Sequence, residues 1–429
     1  MHNVEIDVEH ITRVEGHGNI VLNVKKGKIE ELRLDIPESP RFFEAMVVGR
    51  RWDEVAHITS RICGICACGH TLASVRTVES AMGITPTAQT VKLRRLLLHG
   101  EVMQSHVLHF YILAAPDFLG APSVFPLIAT HKDVVLRALR LKRFANELCA
   151  LVAGQHVHPC VPINGFARYP TKEGLEANLK NMRTAQDDLS ETVKLFKTLK
   201  MPSFERKTEY LALKADNGLY PFYEGDIGST EGWTESPLNY KNRVKEFIVD
   251  HSTAKHAKSS RESYMVGALA RINNNYELLH PKAKAAAEEL GLSFPCYNPF
   301  INSAAQLIET IHCVEESIEL MDDMLKNGLK REDTTVNIVA GRGVGAVEVP
   351  RGTLYHDYTI NAQGIIEHAN CVIPTAQNFE NIEKDFYEFV PQILDRDKKE
   401  IELLLEMLVR AYDPCISCST HLLHVKFVE

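Results

Sequence analysis

Arg61-Ile-Cys63-Gly-Ile-Cys66-Ala-Cys68-Gly-His70 and Asp413-Pro-Cys415-Ile-Ser-Cys418-Ser-Thr-His421 stand near opposite ends of a 429-residue chain. Each stretch holds a Cys-x-x-Cys pair that can chelate one metal through two thiolates. Pooled, the pairs supply four thiolates, a soft set suited to nickel, zinc or iron. A shared site requires a fold that brings both ends of the chain together. Cys63 and Cys415 are 352 positions apart, whereas paired cysteines of structural zinc sites usually recur within about 12 to 20 residues. That spacing counts against a zinc staple. A thioredoxin-like redox pair is also disfavoured, because neither motif lies in a βαβ pattern. Spacing alone leaves a metal centre and other uses of the thiols open.

The chain is 45% hydrophobic and 24% charged, an ordinary soluble composition with length for a large core. Its formal net charge of -8 gives no footprint for nucleic acid or an anionic membrane. No apolar run reaches the ~18 residues of a spanning helix, and no secretory signal is visible. Ten scattered cysteines fit a reducing compartment, so a cytoplasmic location is expected. Length alone suggests two or three domains at about 150 residues each. Motifs spread from end to end favour one interwoven unit, residues 1–429, with an irregular excursion or small subdomain at 201–240.

Alternation at Val4/Ile6/Val8, Ile20/Leu22/Val24 and Ile29/Leu32/Leu34 predicts three short strands, the last two joined by a hairpin at Lys26-Gly27-Lys28. Helical spacing predicts helices over 71–82, 91–114, 137–152 and 175–198, helical patterns over 242–290, and a helix over 301–325. Strand periods are expected over 335–339, 346–349, 353–360 and 364–372, then helices over 379–394 and 399–412. The fold class read from this order is mainly α: a large helical bundle with small β elements near the N-terminus and before the C-terminal motif. Gly341-Arg-Gly343-Val-Gly345 is not a phosphate loop, since it lies between strand-like segments and opens no helix.

Further motifs fall between the Cys pairs and before them. They are Arg13-Val-Glu15-Gly16-His17, Arg41-Phe-Phe-Glu44, Leu108-His109-Phe110-Tyr111, His158-Pro159, Pro350-Arg351-Gly352 and Val372-Ile-Pro374-Thr375. With the two Cys motifs, this set resembles the large subunit of nickel–iron hydrogenases, over residues 5 to 421. The resemblance implies that family's large-subunit fold and reversible heterolytic cleavage of dihydrogen. It implies nickel held by four thiolates, Cys63 and Cys415 terminal, Cys66 and Cys418 bridging to an iron that carries carbonyl and cyanide ligands. Heterolysis needs an electrophilic metal and a nearby base. Cys415 handing the proton to Glu15 is the favoured route, with Arg351 as the rival base. Asp413 would pair with Arg351, next to Pro350, and Thr375 would donate to a cyanide. His70 would hold a sulfur or a nearby carboxylate. Glu44, a main-chain carbonyl near Cys371, and His421 would form a second, hard-cation site for magnesium or iron.

Cys68, Cys149, Cys160, Cys296 and Cys313 are expected to be buried free thiols. No ferredoxin-type Cys run is present. Electrons would therefore leave through an iron–sulfur small subunit and further diaphorase or electron-transfer subunits. Gln104-Ser105-His106 replaces the family's more familiar His-Asp-His, and Gln155 replaces a commoner arginine. These departures resemble the cytoplasmic multimeric branch, and Ser105 puts a proton network around Arg351 in question. A hydrogen-sensing regulatory subunit with the same cluster is the alternative function. Maturation in the family would remove residues 422–429.

Overall fold

Alternation decides the N-terminal sheet. Ile6, Val8, Ile20, Leu22, Val24, Leu32 and Leu34 are buried while their neighbours face outward. The chain, seen in a computed structural model that describes residues 3–421, forms there an antiparallel sheet of β1 (Val4–Val8), β2 (Asn19–Lys25) and β3 (Lys28–Asp35). Lys26 and Gly27 both take positive φ, the mirror-image turn that suits a right-twisted hairpin.

The long helices follow. α1 (Ala67–Met82) is buried on nearly every face, and α2 (Ala88–Val107) starts where Thr87 Oγ1 accepts the Thr90 amide. α2 runs on as a π-helical turn, Leu108–Ala114. α3 (Lys132–Ala153) stops at Gly154, and α4 (Lys172–Phe196) is capped by Thr171.

Residues 201–290 depart from expectation. The supposed irregular excursion and the helical stretch after it contain β4 (Glu209–Lys214), β5 (Asp226–Ser229), β6 (Thr234–Glu235), β7 (Lys245–Phe247), β8 (His256–Lys258) and β9 (Tyr264–Met265). They build a four-stranded sheet in the order β6-β5-β4-β9 and a β7-β8 pair. The β4–β9 pairing is parallel and joins Glu209 to Tyr264. Strands this short, paired so far along the chain, leave no local period to read. Besides two short 3-10 turns, Pro237–Asn242 and Tyr276–Leu278, only α5 (Ala268–Asn275) and α6 (Pro281–Glu289) are helical in this stretch, before α7 (Asn302–Asn327), which packs on α2 and α4.

β10 (Gly341–Val349), β11 (Gly352–Ile360) and β12 (Ile366–Val372) form the second expected sheet. The strand expected at 335–339 is absent, because the β10–β11 ladder ends where Gly341 pairs with Ile360. Gly341, Gly343 and Gly345 have a packing role. A Cβ on them would run into the backbones of Ala81, Thr77 and Ala73, respectively. Glycine at every second strand position thus lets β10 lie directly on the every-fourth-residue ridge of α1. That contact fixes the Cys63–Cys66 end of α1 relative to the Pro350-Arg351 turn that follows β10.

α8 (Pro374–Ile393) and α9 (Lys398–Ala411), capped by Asp397, complete the fold. The main core cluster includes side chains of β1, α1, α7, α8 and α9, and it contains all four motif cysteines. Residues 422–429, the segment expected to be removed, lie outside the described residues.

Candidate metal centre

Two chain turns carry the thiols to one point. Cys63 follows the 3-10 turn Ser60–Ile62, and Cys66 caps the N-terminus of α1. Asp413 takes a left-handed conformation (φ 51°) after α9, and Cys415 opens the short turn Ile416–Ser419. The four sulfurs all lie within 4.8 Å of one another and are buried. Cys63 Sγ is 3.5 Å from Cys415 Sγ, Cys66 Sγ is 3.9 Å from Cys418 Sγ, and Cys415 and Cys418 are 2.9 Å apart.

Four buried thiols this close cannot all ionise unaided. Hydrogen bonds from Cys415, Cys418 and Cys66 hold the Cys63 thiol well below its ordinary value. Burial, with the crowding of the other sulfurs, pushes Cys418 well above. A cation between them removes that conflict, so the donor set fits a soft or borderline metal.

Three struts hold the halves together. Arg41 Nη2 donates to Ile62 O (2.6 Å) and Arg61 O (3.0 Å), while Nη1 reaches Ser417 O (3.3 Å). Its main-chain amide donates to Thr420 O. The Glu15 main chain forms a parallel bridge with Cys415, with the Ile416 amide donating to Glu15 O at 2.9 Å. Gly16 is required there: its φ is +87°, and a Cβ would lie 2.7 Å from Ile416 Cβ. Asp117 binds both Arg13 and Arg410, which locks the Glu15 loop to α9. The Glu15 carboxylate accepts the Ser417 amide at 3.1 Å and is half-buried.

Arg351 is buried beside the thiols. Its Nε donates to Asp413 O (2.6 Å), Nη2 to Asp413 Oδ1 (2.7 Å) and Nη1 to Ser105 Oγ (3.2 Å). Ser105 therefore keeps a hydrogen bond to the arginine. Burial opposes the Arg351 charge, but Asp413, with the neighbouring sulfurs of Cys415, Cys66 and Cys63, outweighs it and raises its pKa. A fixed cation is the result. Gln306 donates to Asp413 Oδ2 (2.9 Å), and Arg271 Nη2 donates to Pro350 O (3.0 Å). Thr375 Oγ1 accepts the Cys415 amide at 2.9 Å, leaving its own proton free to donate.

His70 does not hold a sulfur or a carboxylate. It is four residues beyond Cys66 and buried, and its Nδ1 is 3.1 Å from His356 Nε2. Burial lowers its pKa to about 4, so it is neutral. The expected hard-cation residues are partly assembled. Glu44 Oε1 accepts the Cys371 amide (2.9 Å), with Lys255 Nζ 3.9 Å away. The His421 ring is 6.0 Å from that of Phe43, and its buried Nδ1 has no hydrogen-bond partner among the described residues. Of the five cysteines expected to be buried, Cys160 is exposed and Cys296 half-buried, whereas Cys68, Cys149 and Cys313 are buried. Cys160 lies in the loop between Pro159 and Pro162, outside any helix.

One residue of the site has no motif to announce it. Glu101, on α2, accepts the amides of Cys68 (2.6 Å) and Gly69 (2.9 Å) and so caps the α1 N-terminus behind Cys66. Burial nevertheless pushes its carboxyl up to about 8. A lone glutamate amid Leu96, Leu97, Leu98 and Val102 was the only signal.

Known proteins resemble this chain in sequence and in fold. The sequence profile of the family described as nickel-dependent hydrogenase matches residues 41–133 and 216–421. The sulfhydrogenase 1 subunit alpha of Pyrococcus furiosus is 33% identical over 422 residues, covering 98% of each chain. Sulfhydrogenase 2 subunit alpha of the same organism is 33% identical over 97% of this chain and 98% of its own. The crystal structure of an NAD+-reducing [NiFe]-hydrogenase in the H2-reduced state superposes with a TM-score of 0.88 at 27% identity, over 97% of this chain and 99% of that one. With four thiols from both ends of the sequence gathered at one buried point, the chain belongs to the nickel-dependent hydrogenase family, as its catalytic large subunit.

Proposed function

We propose that Cys63, Cys66, Cys415 and Cys418 would hold a nickel–iron centre with carbonyl and cyanide on its iron, Cys63 and Cys415 serving nickel alone and Cys66 and Cys418 serving both metals. The observation that carries this reading is the convergence of four buried sulfurs within 4.8 Å. When bound, that centre supplies the heterolytic cleavage of dihydrogen and collects its electrons.

The chain's own residues manage the proton and the surroundings. Cys415 Sγ accepts the proton, and the Glu15 carboxylate takes it onward. Support for this route is the pinning of Glu15 to the Cys415 turn at two points, main chain and carboxylate. Arg351, held by Asp413 and Ser105, stays protonated and orients ligands at the metal face as a fixed donor. Thr375, whose hydroxyl proton is left free by its contact with the Cys415 amide, would donate to a cyanide of such a centre. His70, neutral and paired with His356, supports the α1 end of the site. Glu44, a carbonyl near Cys371, and His421 hold magnesium or iron, a reading supported by the unpartnered His421 Nδ1.

Electrons pass to an iron–sulfur small subunit and then to diaphorase or other electron-transfer subunits, since the chain brings no ferredoxin-type cluster motif of its own. Among the described residues no helix is long and apolar enough to cross a membrane, which accords with work in the cytoplasm. Glu15→Gln tests the proton route in the assembled enzyme. Turnover and H/D exchange should fall by orders of magnitude while nickel content and infrared bands persist. Unchanged turnover and exchange would exclude Glu15.

A further inference from the structure

Away from the thiolate centre, His251, His256 and Glu383 converge: one ring nitrogen from each histidine and a carboxylate oxygen lie within 4.8 Å of one another. His256 is fully buried. Its Nδ1 is 3.0 Å from Glu380 Oε2, while its Nε2 has no hydrogen-bond partner among the described residues. Donation of the Nδ1 proton to Glu380 leaves a lone pair on Nε2, the tautomer a metal ligand needs. A carboxylate behind the imidazole is the usual way such a ligand is oriented. His251 Nε2 now hydrogen-bonds Glu383 Oε1 at 2.8 Å; a cation would replace that proton, the two atoms parting by about half an ångström to bind at ~2.0–2.2 Å each.

The three ligands come from separate parts of the fold: the loop before β8, the first residue of β8, and the middle of α8. Glu383 Oε1 also accepts the Leu34 amide of β3 at 2.9 Å. His251 is partly exposed and borders a groove lined by Asn19, Asp35, Asp250 and Thr253. That groove supplies an entry path and room for a water. The charged groups around the cluster are mixed. Asp35, Asp250 and Glu380 favour a cation, Arg33 is paired with Glu31 and Asp35, and Lys384 is paired with Glu262 and Glu380.

We propose that His251, His256 and Glu383 bind a borderline divalent cation of the zinc class, with water as a fourth ligand and Glu380 orienting His256. Two imidazoles and one carboxylate are too soft a set for magnesium and contain no thiolate, so the site is chemically distinct from both others. Its effect would be positional. Thr253, between the two histidines, donates its one hydroxyl proton to Glu38 O (2.6 Å), with Ile36 O 2.9 Å from the same Oγ1, and Glu38 Oε1 accepts from Ser417 Oγ at 3.2 Å. α8 begins with Pro374 and Thr375, and Thr375 contacts the Cys415 amide. A cation here would brace the loop and the helix that back the C-terminal Cys turn.

The test is a zinc titration of the assembled holoenzyme after EDTA treatment, with nickel retained. Wild-type protein and the Glu44→Gln variant should each take up one zinc equivalent. Glu383→Gln and His251→Asn should weaken that uptake at least tenfold, both being partly exposed positions. Zinc-edge X-ray absorption of the wild-type protein should show two imidazoles and oxygen. No uptake by wild type, unchanged uptake in both variants, loss of it in Glu44→Gln, or a zinc shell containing sulfur or oxygen alone would overturn the proposal.

Discussion

Arg41 joins the two halves of the thiolate centre, so Arg41→Ala disturbs it while leaving every sulfur in place. The side chain gives two hydrogen bonds to the Cys63 side, at Arg61 O and Ile62 O, and one to Ser417 O on the Cys418 side. Bonds from a charged donor are worth about 1.5–3 kcal/mol each. The Ser417 contact is long at 3.3 Å and the Arg61 contact is exposed, so the combined loss is about 2–4 kcal/mol, less than a simple sum. The Arg41 amide still reaches Thr420 O, so the halves loosen without unfolding. Two to four kcal/mol corresponds to a roughly 30- to 900-fold shift toward the open site. For a chain of this length the same energy moves the melting point by only about 2–4 °C. Metal retention is therefore the sensitive readout. Nickel per chain, measured by plasma mass spectrometry through a chelator challenge, should decline much faster in Arg41→Ala than in wild type. Arg41→Lys should fall between them, because one ammonium cannot span three carbonyls. Wild-type nickel retention and turnover in Arg41→Ala would refute the bridging role.

Gly343→Val should fail on packing alone: its side chain would enter the backbone of α1 at Thr77 and Ala81, with a cost of about 3 kcal/mol or more, read as lost soluble yield and a lower urea midpoint. Glu309 gives a pH signature. Burial acts to raise its carboxyl, but the charge and hydrogen bonds of Arg271, with His106, outweigh it and hold the group at about 2 against an ordinary 4.5. A depressed carboxyl stabilises the fold above pH 4.5 and loses that contribution as pH falls toward 2, in all roughly 3 kcal/mol. Glu309→Gln should remove this acid slope. It should also destabilise the fold at neutral pH by about 3–5 kcal/mol, since Arg271 then keeps Glu348 as its one carboxylate. Urea midpoints from pH 3 to 7 check both; an unchanged acid limb would contradict the ion-pair assignment.

The four-thiol cluster was legible because its signals are local: two Cys-x-x-Cys pairs, each followed closely by a histidine, and an arginine motif before the first. The long helices were legible from apolar period, and the end sheets from alternation. The central sheets were not, since β4 and β9 pair in parallel across more than 50 residues and neither carries a period of its own. His70 illustrates the same limit at the site. Its partner His356 lies 286 positions away, and no local pattern links them. Glu101 belongs to no motif, yet it caps the helix that carries Cys66. The glycines of β10 were correctly denied a phosphate role, but their packing against α1 needed the helix in view.

Whether four sulfurs from both ends of the chain hold one nickel is decided by nickel-edge X-ray absorption on freshly isolated enzyme, paired with infrared spectra. The prediction is one nickel per chain with a first shell dominated by sulfur, together with carbonyl and cyanide bands, and loss of both in Cys66→Ser and in Cys418→Ser. Zinc in place of nickel, or a nickel shell that survives in both variants, would contradict it.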